Sequence, residues 1–314
     1  MNSVAINARV ATANLAGLEP VRNIVRHWPM AVGAVLTLAM VGSLSHTLSG
    51  SGLAAIGRSV PANWLYYVAF AFLYLSPAIG DFIIFRRLWN IPVEGFGALI
   101  RKRIANDVLF GYSGDAYFYA WARQRAQMVA APLGAVKDVA ILSAVAGNAM
   151  TLAMIALALP FAIHLLDAGQ LKGIVALVAF VVAISLPFLL FSRRVFSLPP
   201  RTLRWIFAVH SVRLATGSLL IALAWHFALP GASLGTWLML AAARLMASRL
   251  PLPNKELLFA SLATALIGES ADLSNVVAFA ASLTLAVHLT LMCGFGVDAV
   301  MRRKAQLLPA TRAS

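Results

Sequence analysis

The chain has little charge and almost no cysteine. Asp, Glu, Lys and Arg together make up 11% of its 314 residues, whereas a soluble domain has about 25% charged residues. Hydrophobic residues make up 61% of the sequence, and the mean hydropathy is +0.84. This composition excludes an ordinary soluble domain and predicts an integral membrane protein. The single cysteine, Cys293, has no second cysteine with which to form an intrachain disulfide.

Motifs of the common enzyme classes are also missing. The sequence has no G-x-S-x-G turn, no Walker loop and no dinucleotide fingerprint. Its histidines in or beside apolar runs do not have the spacing of a metal site. They are His164, His210, His226 and His288. Because no polar stretch is long enough for a separate catalytic domain, we expect no enzyme activity, no cofactor and no bound metal.

Six apolar runs are each close to the roughly 20 residues that a helix needs to cross the hydrocarbon core. The runs are Met30–Leu48, Trp64–Phe85, Val139–Leu166, Ile174–Phe191, Trp205–Phe227 and Val276–Val297. They predict an all-α polytopic membrane protein with about six full transmembrane helices.

The net charge of +14 comes from short basic clusters beside the apolar runs. This is the pattern in which cytoplasmic loops retain Lys and Arg, and it does not favour nucleic-acid binding. We therefore predict a protein of the inner (cytoplasmic) membrane with both termini in the cytoplasm. Residues 1–28 would be a cytoplasmic lead-in, residues 29–298 the transmembrane domain and residues 299–314 a basic cytoplasmic tail.

Two segments must begin and end on the same side of the membrane under this orientation. Residues 91–122 lie between cytoplasmic basic clusters, and residues 235–268 lie between two outer loops. Each has a polar break, "GYSGD" in the first and "PLPNKE" in the second. Irregular backbone at membrane depth is tolerated only where protein or a wet cavity surrounds it. We therefore predict two re-entrant helical hairpins whose tips line a cavity.

The two hairpins share a faint pattern. "RIANDVLFGYSGDAYFYAWA", from Arg103, can be laid without gaps on "RLMASRLPLPNKELLFASLA", from Arg244. This alignment also matches Asp115 with Glu256. With so few identities, the match is either chance or an inverted repeat. In transporters, inverted repeats place the substrate site at paired interrupted helices near the midplane.

Asp115 and Glu256 are the first candidate site residues, because a carboxylate at membrane depth suggests function by default. Three other interpretations are open. The acids could form structural ion pairs, Glu256 with Lys255 or Arg249 and Asp115 with Arg103. They could cap the helices that follow them, or they could be exposed at the membrane interface.

Three arginines in the apolar C-terminal half are candidates for binding a phosphate. Arg244, Arg249 and Arg213 each present a planar fork that can bind phosphate bidentately. The alternative is that these side chains reach toward the membrane interface. Near the end of the second apolar run, Asp81 is expected to pair with an arginine at 86–87.

The interrupted stretches resemble the flippase-like transmembrane family found in lysylphosphatidylglycerol synthases. "NDVLFGYSGDAYFYAWARQR", followed by "KDVAILSAVAGNAMTL", is similar to the first signature of that family. "SRLPLPNKELLFASLATALIG" is similar to the second. The matching residues are Asn106, Gly114, Asp115, Leu250, Pro251, Lys255 and Glu256. The chain departs from the pattern in lacking a Gly-rich run after the proline and in having Phe118 where the family has an arginine.

The resemblance implies a lipid translocator without an aminoacyl-transfer domain. The residues expected to bind the substrate are Asp115, Glu256, Arg244, Arg249, Lys255, Asn106 and Arg213. The expected partner is an anionic or zwitterionic phospholipid head group, together with a second copy of the chain or an envelope enzyme. The alternative is a non-transporting scaffold or accessory protein for an envelope lipid or polysaccharide enzyme.

Overall fold

The computed structural model describes residues 60–108, 113–125, 132–163, 168–190, 195–249, 255–256, 258–260, 263 and 271–307. The predicted lead-in and the first apolar run, Met30–Leu48, lie outside these residues.

The described part of the chain folds into eight long helices and contains no strand. The helices are α1 (Trp64–Trp89), α2 (Gly95–Val108), α3 (Ser113–Arg125), α4 (Pro132–Ala162), α5 (Ala168–Leu190), α6 (Pro200–Ala228), α7 (Leu234–Ala247) and α8 (Ala271–Leu307). Residues 255–256, 258–260 and 263 are also helical. The predicted all-α class is confirmed.

Four of these helices are long and apolar enough to cross a membrane. The stretches are Trp64–Trp89, Leu133–Phe161, Pro200–Ala228 and Asp272–Phe295. The predicted run at Ile174–Phe191 falls in α5, whose apolar stretch, Leu171–Leu186, is shorter. The described residues of these five predicted runs are helical except Ile163, which lies in a turn, and the protein is a polytopic membrane protein.

Local signals explain where the helices begin and end. The Asn63 side chain accepts a hydrogen bond from Leu65 N (3.0 Å) and caps α1. At its other end, α1 stops at Asn90, which has a left-handed backbone with a φ of 49°. Pro200 occupies the first turn of α6, where its missing N–H costs nothing. Ser233 caps α7 by accepting from Thr236 N (3.1 Å).

The centre of the fold is an antiparallel pair formed by α1 and α6. Ser76 Oγ donates to Arg213 O (3.5 Å), and Gly217 lies beside Leu73. At the far end of the pair, the Arg87 guanidinium lies 4.3 Å from the centre of the Trp205 ring. Because residue numbers rise along α1 while their contacts fall along α6, the two helices run in opposite directions.

The other helices pack around this pair. Helix α4 lies against both α6 and α7, and α8 also contacts α6. Helices α2 and α3 form a close pair, with α2 against α1 and α3 against α4. Helix α5 packs on α4, where Asn148 Nδ2 donates to Ser185 Oγ (2.9 Å). Helices α2, α3 and α7, which belong to the predicted hairpins, thus pack around this central pair and α4.

The order of helices repeats along the chain. A long helix, two short helical stretches and a second long helix occur first as α1 to α4, and then as α6, α7, the helical residues among 255–256, 258–260 and 263, and α8. The shift that lays Arg103 on Arg244 also lays most of α1 on α6 and all of α4 on α8. Helices α2 and α7 each have 14 residues. This agreement favours the repeat over chance, and the antiparallel α1–α6 pair fits its inverted form.

Candidate functional site

A cavity of about 760 Å³ lies among α1, α2, α3, α4, α6, α7 and α8. All seven predicted site residues line it: Asn106, Asp115, Arg213, Arg244, Arg249, Lys255 and Glu256. Ile184 of α5 also lines the cavity. The structure therefore brings together residues that are up to 150 positions apart in the sequence.

A buried cluster of three charged groups lies where α2 and α3, the first helical pair, meet α1. Lys102 Nζ lies 2.6 Å from Asp81 Oδ2 and 3.0 Å from Asp115 Oδ1. The predicted pairing of Asp115 with Arg103 is therefore wrong, and so is that of Asp81 with an arginine at 86–87. Arg86 instead donates to the carbonyl oxygen of Ile91 (2.7 Å). Asp81 turns to Lys102 because both side chains are buried where α1 meets α2.

Asn106 joins the two helices of this pair. Its Nδ2 donates to Asp115 Oδ2 (3.0 Å), and its Oδ1 accepts from Gly114 N (2.7 Å). Helix α3 begins at Ser113, as the "SGD" sequence predicts, but its free N–H is capped from α2. Gly114 permits this approach, because a Cβ there would come within 2.6 Å of the Lys102 carbonyl carbon and 2.8 Å of its Cα.

The second helical pair is closed by an ion pair between Arg244 and Glu256. Arg244 Nε donates to Glu256 Oε2 (2.9 Å), and Arg244 Nη2 donates to Glu256 Oε1. The predicted partners of Glu256, Lys255 and Arg249, are therefore wrong. Leu250 and Pro251 of the predicted tip lie outside the described residues. The first pair has the same plan, since a cation of the first helix meets an acid at the start of the second.

Arg249 and Arg213 both lie against α4. Arg249 Nε and Nη2 donate to Ser248 Oγ (3.1 and 2.8 Å), and its guanidinium packs over Gly147. Arg213 Nη2 donates to Ser143 Oγ (3.1 Å). Both arginines line the cavity, which argues against the alternative that they reach toward the membrane interface.

Sequence reasoning missed a further group of cavity residues. Arg103 Nε lies 3.5 Å from Asp107 Oδ2, and His288 Nε2 lies 3.6 Å from the same oxygen. The Arg103 guanidinium also lies 4.2 Å from the centre of the Tyr74 ring. Lys102 and Arg103 look like ordinary cytoplasmic cations in the sequence, yet their side chains are only 7% and 13% exposed. The four-residue spacing of Arg103 and Asp107 is the one signal that pointed to this pair.

Charge in the cavity favours an anion. Among the residues that the structure describes, its lining includes six cationic side chains and four carboxylates, an excess of two positive charges. The cations are Lys102, Arg103, Arg213, Arg244, Arg249 and Lys255, and the acids are Asp81, Asp107, Asp115 and Glu256. Within the described residues, no group of three or more His, Cys, Asp or Glu side chains could hold a metal ion.

Two residues of the first family-like signature stay outside the cavity. Asp138 Oδ2 accepts from the backbone N–H groups of Ser197 (2.7 Å) and Leu198 (2.8 Å). Lys137 Nζ donates to the carbonyl oxygen of Val195 (2.6 Å). The "KD" pair at the start of α4 therefore fixes the chain before α6, which is a structural role.

No protein family, curated protein or solved structure matches the chain. The resemblance to the flippase-like family therefore rests on the quoted signatures alone.

Proposed function

We propose that the protein is a flippase-like lipid translocator of the inner membrane. A phospholipid head group would cross through the cavity between the two helical pairs while its acyl chains stay in the bilayer. The observation that carries this proposal is the meeting of all seven predicted residues in one cavity whose described lining has an excess of two positive charges. Buried charge of one sign in a membrane protein costs free energy unless a ligand or partner compensates it.

Lys255, Arg213 and Arg249 are the residues that we assign to the head-group phosphate. The planar fork of Arg244 is occupied by Glu256, so Arg244 would shape the cavity instead. Lys255 lines the cavity, and none of the described carboxylates lies within ion-pair distance of it. An ammonium in that position suits a phosphate oxygen.

Lys255→Gln is expected to slow translocation of a fluorescent phosphatidylglycerol at least about tenfold in proteoliposomes. A hydrogen bond to a charged group contributes about 1.5–3 kcal/mol, and 1.4 kcal/mol corresponds to about a factor of ten. Because the change leaves no described acid unpaired, the melting temperature in detergent should stay near that of the wild type.

The matched control is Lys172→Gln, which removes an exposed cation from α5 outside the cavity and should not alter the rate. The wild type should also move phosphatidylglycerol faster than a neutral glycolipid. Equal rates for Lys255→Gln and Lys172→Gln would count against a phosphate site at this position. A purified wild-type protein that moves no lipid would favour the scaffold alternative.

Orientation gives a separate prediction. In a Cys293→Ser background, single cysteines at Ser270 and Ala310 should be labelled from opposite sides of the membrane, with position 310 in the cytoplasm. The reason is that α8 lies between them and is long enough to span the bilayer. Labelling of both positions from the same side would contradict the predicted arrangement of spans and hairpins.

A further inference from the structure

The buried cluster of Asp81, Lys102 and Asp115, here called the triad, has one more carboxylate than ammonium. Its side chains come from α1, α2 and α3, are 7% to 12% exposed, and all line the cavity. With both acids ionised, the triad carries one net negative charge. Such a charge is costly to bury without a further cation nearby.

Arg213 is that further cation. Its side chain passes over Gly80, the residue before Asp81, where a Cβ would come within 2.7 Å of Arg213 Cδ. Arg213 interacts electrostatically with Asp81. The triad and Arg213 together are therefore neutral, and Arg213 also faces the cavity.

An anion bound at Arg213 would disturb this balance. The phosphate and the triad would then share one guanidinium, and like charges in a medium of low dielectric repel strongly. A proton added to either carboxyl of the triad removes the excess negative charge. Binding of the anion and of the proton should therefore favour one another, and this coupling is reciprocal.

We propose that the triad is a proton-binding site that takes up one proton when the cavity binds an anionic head group. This inference rests on the proposed function and names the ion coupled to it. The proton resides on Asp81 or Asp115, while Lys102 stays an ammonium bonded to the other carboxylate. When the head group leaves, the proton returns to water, so a proton gradient biases the direction of lipid movement.

Other charged and titratable groups also face the triad. His210 of α6 interacts electrostatically with Asp81 and is the competing proton acceptor. Arg103 of α2 interacts electrostatically with Arg213. From α4, the charged pair at 137–138 binds the segment before α6 instead. The experiment must therefore separate the two aspartates from His210.

Proton uptake can be measured on the full-length protein in an uncharged detergent. Dihexanoyl phosphatidylglycerol would be titrated by calorimetry in buffers that differ in ionisation enthalpy, so that the difference in heat counts protons taken up per anion bound. We expect an uptake that approaches one proton. We also expect the affinity to rise as the pH falls, by up to about tenfold per pH unit for one linked proton.

Substitutions of the aspartates and of His210 show which side chain takes up the proton. In Asp115→Asn and in Asp81→Asn, the uptake per bound anion should fall toward zero and the pH dependence of the affinity should disappear. The matched control, Asp272→Asn, changes an exposed acid of α8 and should keep the uptake. His210→Gln should keep it too. Loss of uptake in His210→Gln, together with normal uptake in both aspartate variants, would overturn the assignment to the triad.

The outcomes also separate this inference from the proposed function. Binding of the probe by the wild type without proton uptake would overturn the inference and leave the head-group site standing. No binding at all would overturn both. If one aspartate variant does not fold, proton uptake by the wild type and by the other aspartate variant still tests whether the triad binds the proton.

Discussion

Gly114→Ala is expected to leave little folded protein. The added Cβ would lie 2.6 Å from the carbonyl carbon of Lys102 and 2.8 Å from its Cα, and a helix backbone cannot turn aside as a side chain can. Overpacking against side chains costs about 1–3 kcal/mol. Here α3 would have to leave α2, so we expect a loss of about 3 kcal/mol or more, a large part of the total stability. Size-exclusion chromatography and thermal melting in detergent would measure it.

Gly97→Ala is the matched control for this change. Gly97 also lies in the first helical pair, on α2, but a Cβ there meets nothing within 4 Å. Replacing a helical glycine by alanine usually stabilises by roughly 0.5–1 kcal/mol, so its melting temperature should be unchanged or slightly higher. A Gly114→Ala protein that melts like Gly97→Ala would show that α2 and α3 do not approach as closely as described.

Glu256→Gln is expected to destabilise the protein by about 3 kcal/mol. A buried ion pair that loses one partner costs about 3–5 kcal/mol, because the remaining charge is left uncompensated. We expect a loss at the lower end of this range because the Arg244 and Glu256 side chains are still 19% and 31% exposed, so water partly screens the charge that is left. The melting temperature in detergent is the measurement, and Arg244→Met combined with Glu256→Gln should recover most of the loss.

Glu94→Gln serves as the control, because Glu94 is an exposed glutamate outside the cavity and its neutralisation should leave the melting temperature unchanged. If Glu256→Gln melted normally but lost lipid movement, the structural role of Glu256 would be contradicted. The acid would then have to act on the lipid itself.

The helices follow directly from apolar run lengths. The sequence predicts Trp205–Phe227 and Val276–Val297, and the structure has helices at Pro200–Ala228 and Ala271–Leu307. The predictions begin late because the first turn of each helix is polar or basic, and hydropathy does not register it. The break between α2 and α3 could be predicted as well, because the polar stretch "GYSGD" interrupts the sequence there.

The ion pairs could not be predicted in the same way. The sequence offered each acid several cations within reach, and the chosen partners were wrong for Asp81, Asp115 and Glu256. For Asp81 and Glu256 the predicted partners are near in sequence, but the actual partners lie on another helix. For Asp115 the actual partner, Lys102, is the neighbour of the predicted Arg103 on α2. Which cation faces the acid depends on the rotation of that helix, which is set by packing such as that of Phe118 on Phe85 (4.6 Å between ring centres).

From the sequence alone we could predict an all-helical membrane protein, the positions of five of its long helices and the polar residues that interrupt the apolar pattern. Composition and periodicity suffice for this, because the hydrocarbon core forces every spanning segment to satisfy its own backbone. The packing of the helices shows in addition that those polar residues share one cavity and that Lys102 lies between two aspartates. Such neighbours come from α1 and α6 packing antiparallel with α4 and α8 beside them, and no local pattern encodes contacts across such distances in the chain.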